Sequence, residues 1–70
     1  MIAYTLVEGR RTLVEVVKSN ARTVLVSLID GSVIRRHKIK HKVEMPMEQD
    51  SYRVKWDRMC AWLRWKVRLG

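Results

Sequence analysis

Proline occurs once in the 70 residues, at Pro46, cysteine once, at Cys60, and phenylalanine not at all. A lone cysteine excludes a disulfide scaffold within the chain, and it reads as a small buried hydrophobe before it reads as a nucleophile. No apolar run approaches the ~18 residues of a membrane-spanning helix. Met1 to Arg11 has neither the basic start nor the apolar stretch of a secretion signal, so a reducing cytoplasm is the expected compartment. Gly9, Gly31 and Gly70 stand too far apart to build a phosphate-cradling loop. Histidine appears only at His37 and His41. In an extended segment two such side chains lie roughly 13 Å apart, and no second ligand pair accompanies them, so no metal site is expected. Paired carboxylates are missing as well. The chain does not read as an enzyme, and nothing in it implies a cofactor.

Negative charge is also scarce. Seven Asp and Glu face 15 Lys and Arg, for a net charge of +8 and a pI near 10.4. Such an excess implies affinity for a polyanion and says nothing about fold. With 47% hydrophobic and 31% charged residues the composition is that of one small globular domain. A chain of this length buries only about 60% of its unfolded surface, so its core is small.

The residues that are present divide the chain at its proline. Residues 1–44 read as β, 45–50 as a linker around Pro46, and 51–70 as a Trp- and Arg-rich segment that packs back on the first part. Ile2 to Val7 is a first strand. Thr12–Lys18 is dominated by β-branched residues that suit a half-buried pleated surface, and Ser19-Asn20-Ala21 turns the chain. Arg22–Ile29 is apolar enough for a strand covered on both faces. Asp30-Gly31 predicts a two-residue type I′ hairpin into Ser32–His37. Ile39, His41 and Val43 alternate with Lys38, Lys40 and Lys42, which predicts a fifth strand. Five short strands joined by tight turns hide their edges most economically in a small barrel.

The last segment carries two patterns. Tyr52, Val54 and Trp56 alternate as in a strand, and so do Leu63, Trp65, Val67 and Leu69. Yet Trp56, Met59, Cys60, Leu63 and Val67 also recur at helical spacing. The lack of β-branched residues favours an extended piece to Trp56, then a helix over 57–68 capped by Asp57, with Gly70 closing it.

Two features carry the functional expectation. Arg35-Arg36-His37-Lys38-Ile39-Lys40-His41-Lys42 holds five fixed positive charges and no acid. Arg35, Arg36, Lys38, Lys40 and Lys42 are candidate phosphate contacts, because neutralising phosphates releases condensed counterions. If extended, the segment sets Arg36, Lys38, Lys40 and Lys42 on one side. The competing reading is a solvated edge strand whose lysines block aggregation. The second feature is Trp62 and Trp65 among Arg64, Lys66 and Arg68. On a helix these tryptophans form a patch apart from the Trp56 stripe, either buried by wrapping or left to stack on bases or seize a partner. A basic helix lying on an anionic membrane is a third and lesser reading.

The meander Thr12–Lys18, Arg22–Ile29, Asp30-Gly31, Ser32–His37 resembles the small SH3-like β-barrels of the KOW, Tudor and chromo type. The stretch from Asn20 to Val26, with Leu28, Asp30-Gly31 and Val33 to His37, is similar to short basic proteins of phage and mobile-element genomes. The resemblance implies a mainly β domain, a five-stranded barrel with a C-terminal amphipathic helix. It implies a partner that is nucleic acid, RNA or DNA, or else a host protein complex. Tyr4 is the only aromatic residue before the proline, so a methyl-lysine cage has nothing to build it.

Overall fold

The computed structural model describes the backbone of residues 1–69 and the side chains of residues 1–66. Four antiparallel strands, β1 (Ile2–Val7), β2 (Arg10–Ser19), β3 (Thr23–Ser27) and β4 (Val33–His37), form one sheet in sequential order. A single helix, α1 (Asp50–Leu69), follows. The protein is thus mainly β, as its sequence predicts.

Strand β2 is the hinge of the sheet. Its first half pairs with β1 from Ile2↔Glu15 to Val7↔Arg10, and its second half pairs with β3. Within the pairing with β3 the register slips at Val16/Lys18. An extra residue in one strand bends it and increases its twist, so the sheet curls there. Inside the curl lie Ala3, Val14, Val24 and Val26, all fully buried, with Val16, Leu28, Ile34 and Val43 packed around them. Strict alternation in β3 buries Val24 and Val26 and leaves Thr23, Leu25 and Ser27 half-covered. The expectation of a strand sealed on both faces is therefore corrected: the helix packs on β1 and β2, and the second face of β3 stays half-covered.

The barrel is corrected too. Among the described residues there are four strands, not five, and the sheet does not close. After β4 the chain turns instead of extending. His41 N–H bonds His37 C=O at 2.9 Å, Lys42 N–H reaches Ile39 C=O at 3.2 Å, and Val43 N–H reaches Lys38 C=O at 2.9 Å. Lys42 adopts a left-handed φ of 48°. Only a single bridge remains of the fifth strand, Tyr4↔Glu44, with Leu6 N–H to His41 C=O at 2.8 Å beside it. Pro46 then ends any further pairing, since it has no N–H to give.

The two-residue I′ turn exists, but elsewhere. Val7 pairs with Arg10 across Glu8 and Gly9, at φ 53° and 76°. At Asp30-Gly31 only Gly31 has a positive φ, of 90°, and the loop runs from Leu28 to Ser32, closed by Leu28 N–H to Ser32 C=O at 2.8 Å. Asp30 uses its carboxylate instead, accepting the Ser32 N–H at 2.9 Å and its hydroxyl at 2.5 Å. These two bonds hold the Asp30 carboxyl below its ordinary pKa, the hydroxyl bond first.

The helix begins at Asp50, so Tyr52–Trp56 is helical and not extended, and Asp57 lies inside it. Its start is fixed by neighbours. Glu48 accepts the Ser51 N–H at 3.0 Å. Gln49 ties the helix start to β1: its carbonyl takes the Ile2 N–H at 2.7 Å, and its amide reaches Ile2 C=O at 3.0 Å and Pro46 C=O at 2.7 Å. Residues 45–50 thus dock the helix and do not merely link it. On the outer face of β1 and β2, Ile2, Leu13 and Trp56 form a second buried cluster with Tyr4, Tyr52, Met59 and Cys60. The Trp56 stripe is real as far as Leu63, which is half-buried; the side chain of Val67 and the Gly70 cap lie outside what the structure describes.

Candidate nucleic-acid interface

Pairing decides where each cation of β4 stands. Arg36 is opposite buried Val24, and Arg35 is opposite Leu25. Side chains opposite one another share a face, so Arg35 and Arg36 lie on opposite faces of the sheet. Arg35 is exposed on the helix side. Arg36 folds over the open end of the curl: its Nε donates to Arg35 C=O at 2.8 Å and its Nη1 approaches Leu6 C=O at 3.4 Å. Arg36 therefore helps join β4 to β1. The expected ridge of Arg36, Lys38, Lys40 and Lys42 on one side is corrected, because alternation stops where the strand stops. Lys40 and Lys42 are exposed on the turn, and Lys38 is half-buried beside it.

The turn is built by the two histidines. His37 Nδ1 accepts the Ile39 N–H at 3.3 Å and the Lys40 N–H at 3.1 Å. His41 Nδ1 accepts the His37 N–H at 2.8 Å. Side chains that capture nearby amides compete with strand pairing, and this is why the alternating segment is not a strand. An accepting Nδ1 puts the imidazole hydrogen on Nε2. Burial, then the positive charges of Arg36 and Lys40 and the neighbouring His37, hold His41 below its ordinary pKa of 6.5. A depressed folded value means the unfolded chain takes up the proton first. The contribution of His41 to stability is then full above about 6.5 and declines as the pH falls through its folded value. Urea midpoints measured between pH 7.5 and 5.5 should fall with pH, and His41→Gln should flatten that fall.

No acid neutralises this region among the described residues. The two ion pairs there are Arg11–Glu44, at 2.9 Å, and Arg53–Glu15. Glu48 serves the helix start, and the Ser51 bonds lower its pKa. Among the described residues Arg35, Arg36, Lys38, Lys40 and Lys42 have no carboxylate partner.

The second basic region stands apart. Trp62 and Trp65 are 56% and 62% exposed, and Lys66 Nζ sits 4.8 Å from the Trp62 ring centre. Arg64 and Trp65 line a groove of about 890 Å³ that runs between the helix and the Leu28–Gly31 loop. That loop precedes Val33, whereas the histidine turn follows His37. The two regions are therefore separated by the length of β4, roughly 13 Å, with Arg35 between them. The Arg68 side chain lies outside the described residues.

Sequence reasoning missed Arg22. Its carbonyl accepts the Lys38 N–H at 2.9 Å, which brings the β2–β3 turn against the histidine turn. Only the pairing of β3 with β4 could have revealed this. Groups of three or more His, Cys, Asp or Glu with metal-holding geometry do not occur among the described residues. No helix there is long and apolar enough to cross a membrane. Comparison with protein-family models, curated proteins and solved structures finds no match.

Proposed function

We propose that the chain is a non-enzymatic nucleic-acid-binding protein that grips phosphates with little sequence preference. The observation that carries this reading is a set of cations without carboxylate partners: Arg35, Lys38, Lys40 and Lys42 on β4 and its turn, with Arg36 beside them. An aggregation-blocking edge needs one or two charges, and a hydrogen-bonded turn presenting this many suits a polyanion better. Arg64 and Lys66 form a second, separate cationic region on the helix, with Arg68 expected to join it, and Trp62 and Trp65 offer rings for unstacked bases. Kinship with small SH3-like barrels belongs to the same proposal, in an open four-stranded form. It is supported by the bent β2 and the Tyr4↔Glu44 bridge. A cytoplasmic location is also part of it.

The test is direct. Replacing Arg35, Arg36, Lys38, Lys40 and Lys42 by Gln should weaken binding to short RNA and DNA at least a hundredfold at low salt. Unaltered binding would overturn the reading.

A second reading is favoured by the groove beside Trp65, namely docking on a protein complex through the Trp and Arg side chains of the helix. Here a paired Trp62→Ala and Trp65→Ala variant should lose capture of one defined partner from nuclease-treated extract. Capture that persists in the variant would dismiss this reading.

A further inference from the structure

Between the β2–β3 turn and the histidine turn lies a pocket of about 480 Å³, lined by Ala21, Arg22, His37, Lys38 and Ile39. Its walls come from separate turns held in fixed relation. Lys38 N–H bonds Arg22 C=O at 2.9 Å, and Thr23 pairs with His37 directly beneath. No carboxylate lines it. His37 Nδ1 is occupied by the Ile39 and Lys40 amides. Its remaining Nε2–H is therefore the donor available to a ligand. Ile39 is 83% exposed, so its side chain is open to contact from outside.

We propose that this pocket seats one nucleotide of a single strand, its phosphate between Arg22 and Lys38 and its base against Ile39 and Ala21. The proposal rests on the nucleic-acid reading above and names where one unit of the strand lies. Two cations beside an exposed apolar rim of Ile39 and Ala21 fit a ligand that is anionic at one end and flat and apolar at the other. An acidic peptide would use the cations and leave the rim bare. A duplex keeps its bases stacked inside and could not present one. The volume falls within the ~300–1,000 Å³ of small-ligand sites. The His37 Nε2–H then donates to a phosphate oxygen or a base carbonyl.

The experiment uses a fluorescein-labelled uridine decamer and its thymidine counterpart, read by anisotropy over a range of salt. Arg22→Gln should weaken binding about tenfold and reduce the salt slope by about 0.7, the value for one phosphate on a single strand. Ile39→Ser should weaken it about fivefold with the slope unchanged, because it removes apolar contact and no charge. Both side chains are exposed, so these variants keep the fold, which amide spectra would verify. Arg58→Gln, on the helix, is the control. Uridine monophosphate should shift the Ala21 and Ile39 amides, whereas inorganic phosphate should shift those of Arg22 and Lys38 alone. If Arg22→Gln and Ile39→Ser bind like Arg58→Gln while the five-site Gln variant has lost binding, the pocket assignment fails and the phosphate reading stands. If the unmodified protein binds neither decamer, both fall together.

Discussion

Both halves of α1 carry tryptophan, one in the first and two in the second, and the rings meet opposite fates. Trp56 in the first half is 5% exposed, whereas Trp62 and Trp65 in the second are 56% and 62% exposed. The difference lies beneath the helix. The first half rests on Ile2, Tyr4 and Leu13 of β1 and β2. The second half passes beyond those strands and overlooks the groove at the β3–β4 loop. A helix of 20 residues is about 30 Å long, whereas the six residues of β1 span only about 20 Å. Hydrophobic spacing states which face could be buried; the extent of the sheet decides how much of it is.

The strongest way to break this comparison is Trp56→Ala. It should cost about 3–5 kcal/mol, comparable to the whole stability of a domain this small. A loss below about 1 kcal/mol in urea unfolding would mean the first half is no better anchored than the second. Next comes Gln49→Ala, which removes three hydrogen bonds holding the helix start to Ile2 and Pro46. Partly buried backbone groups left unpaired cost about 1–3 kcal/mol. An unchanged urea midpoint would show that Trp56 docks the helix unaided. A smaller change, of opposite sign, tests the sheet below. Glu8 occupies a left-handed conformation at φ 53°, which Asn tolerates better, and Asn-Gly is the favoured I′ pair. Glu8→Asn should raise stability by about 0.5–1 kcal/mol, and a lowered midpoint would contradict the turn assignment. Smallest of all, Trp62→Ala and Trp65→Ala should each change stability by less than about 0.5 kcal/mol. A larger loss would place those rings in the core and erase the contrast.

Much of the β half was legible because its cues are local. The β-branched run of Thr12–Lys18 states a half-buried strand, and the apolar run from Arg22 to Ile29 states a strand but not that only the Val24 and Val26 face is sealed. What was illegible depended on partners distant in sequence or on side chains acting as backbone substitutes. The Tyr52–Trp56 alternation resembles a strand, but Gln49 and Glu48 start a helix just before it. Lys38–Val43 alternates too, yet the imidazoles of His37 and His41 take the amides that a ladder would need. Asp30-Gly31 carries the stronger hairpin signal, and the I′ turn forms at Glu8-Gly9 instead. There the strands meet in register with no residues to spare, while Asp30 is drawn away by Ser32. The candidate site was half legible. A run of cations is visible in any sequence, but the opposed faces of Arg35 and Arg36, and the approach of Arg22 to Lys38, require the strand pairing.

The claim on which the functional account turns is that unpaired cations on β4 and its turn hold phosphates. The dependence of single-strand binding on salt measures it most directly. With four such contacts, log K against log salt should fall with a slope near −3. A slope between 0 and −1, or binding that persists at molar salt, would contradict it.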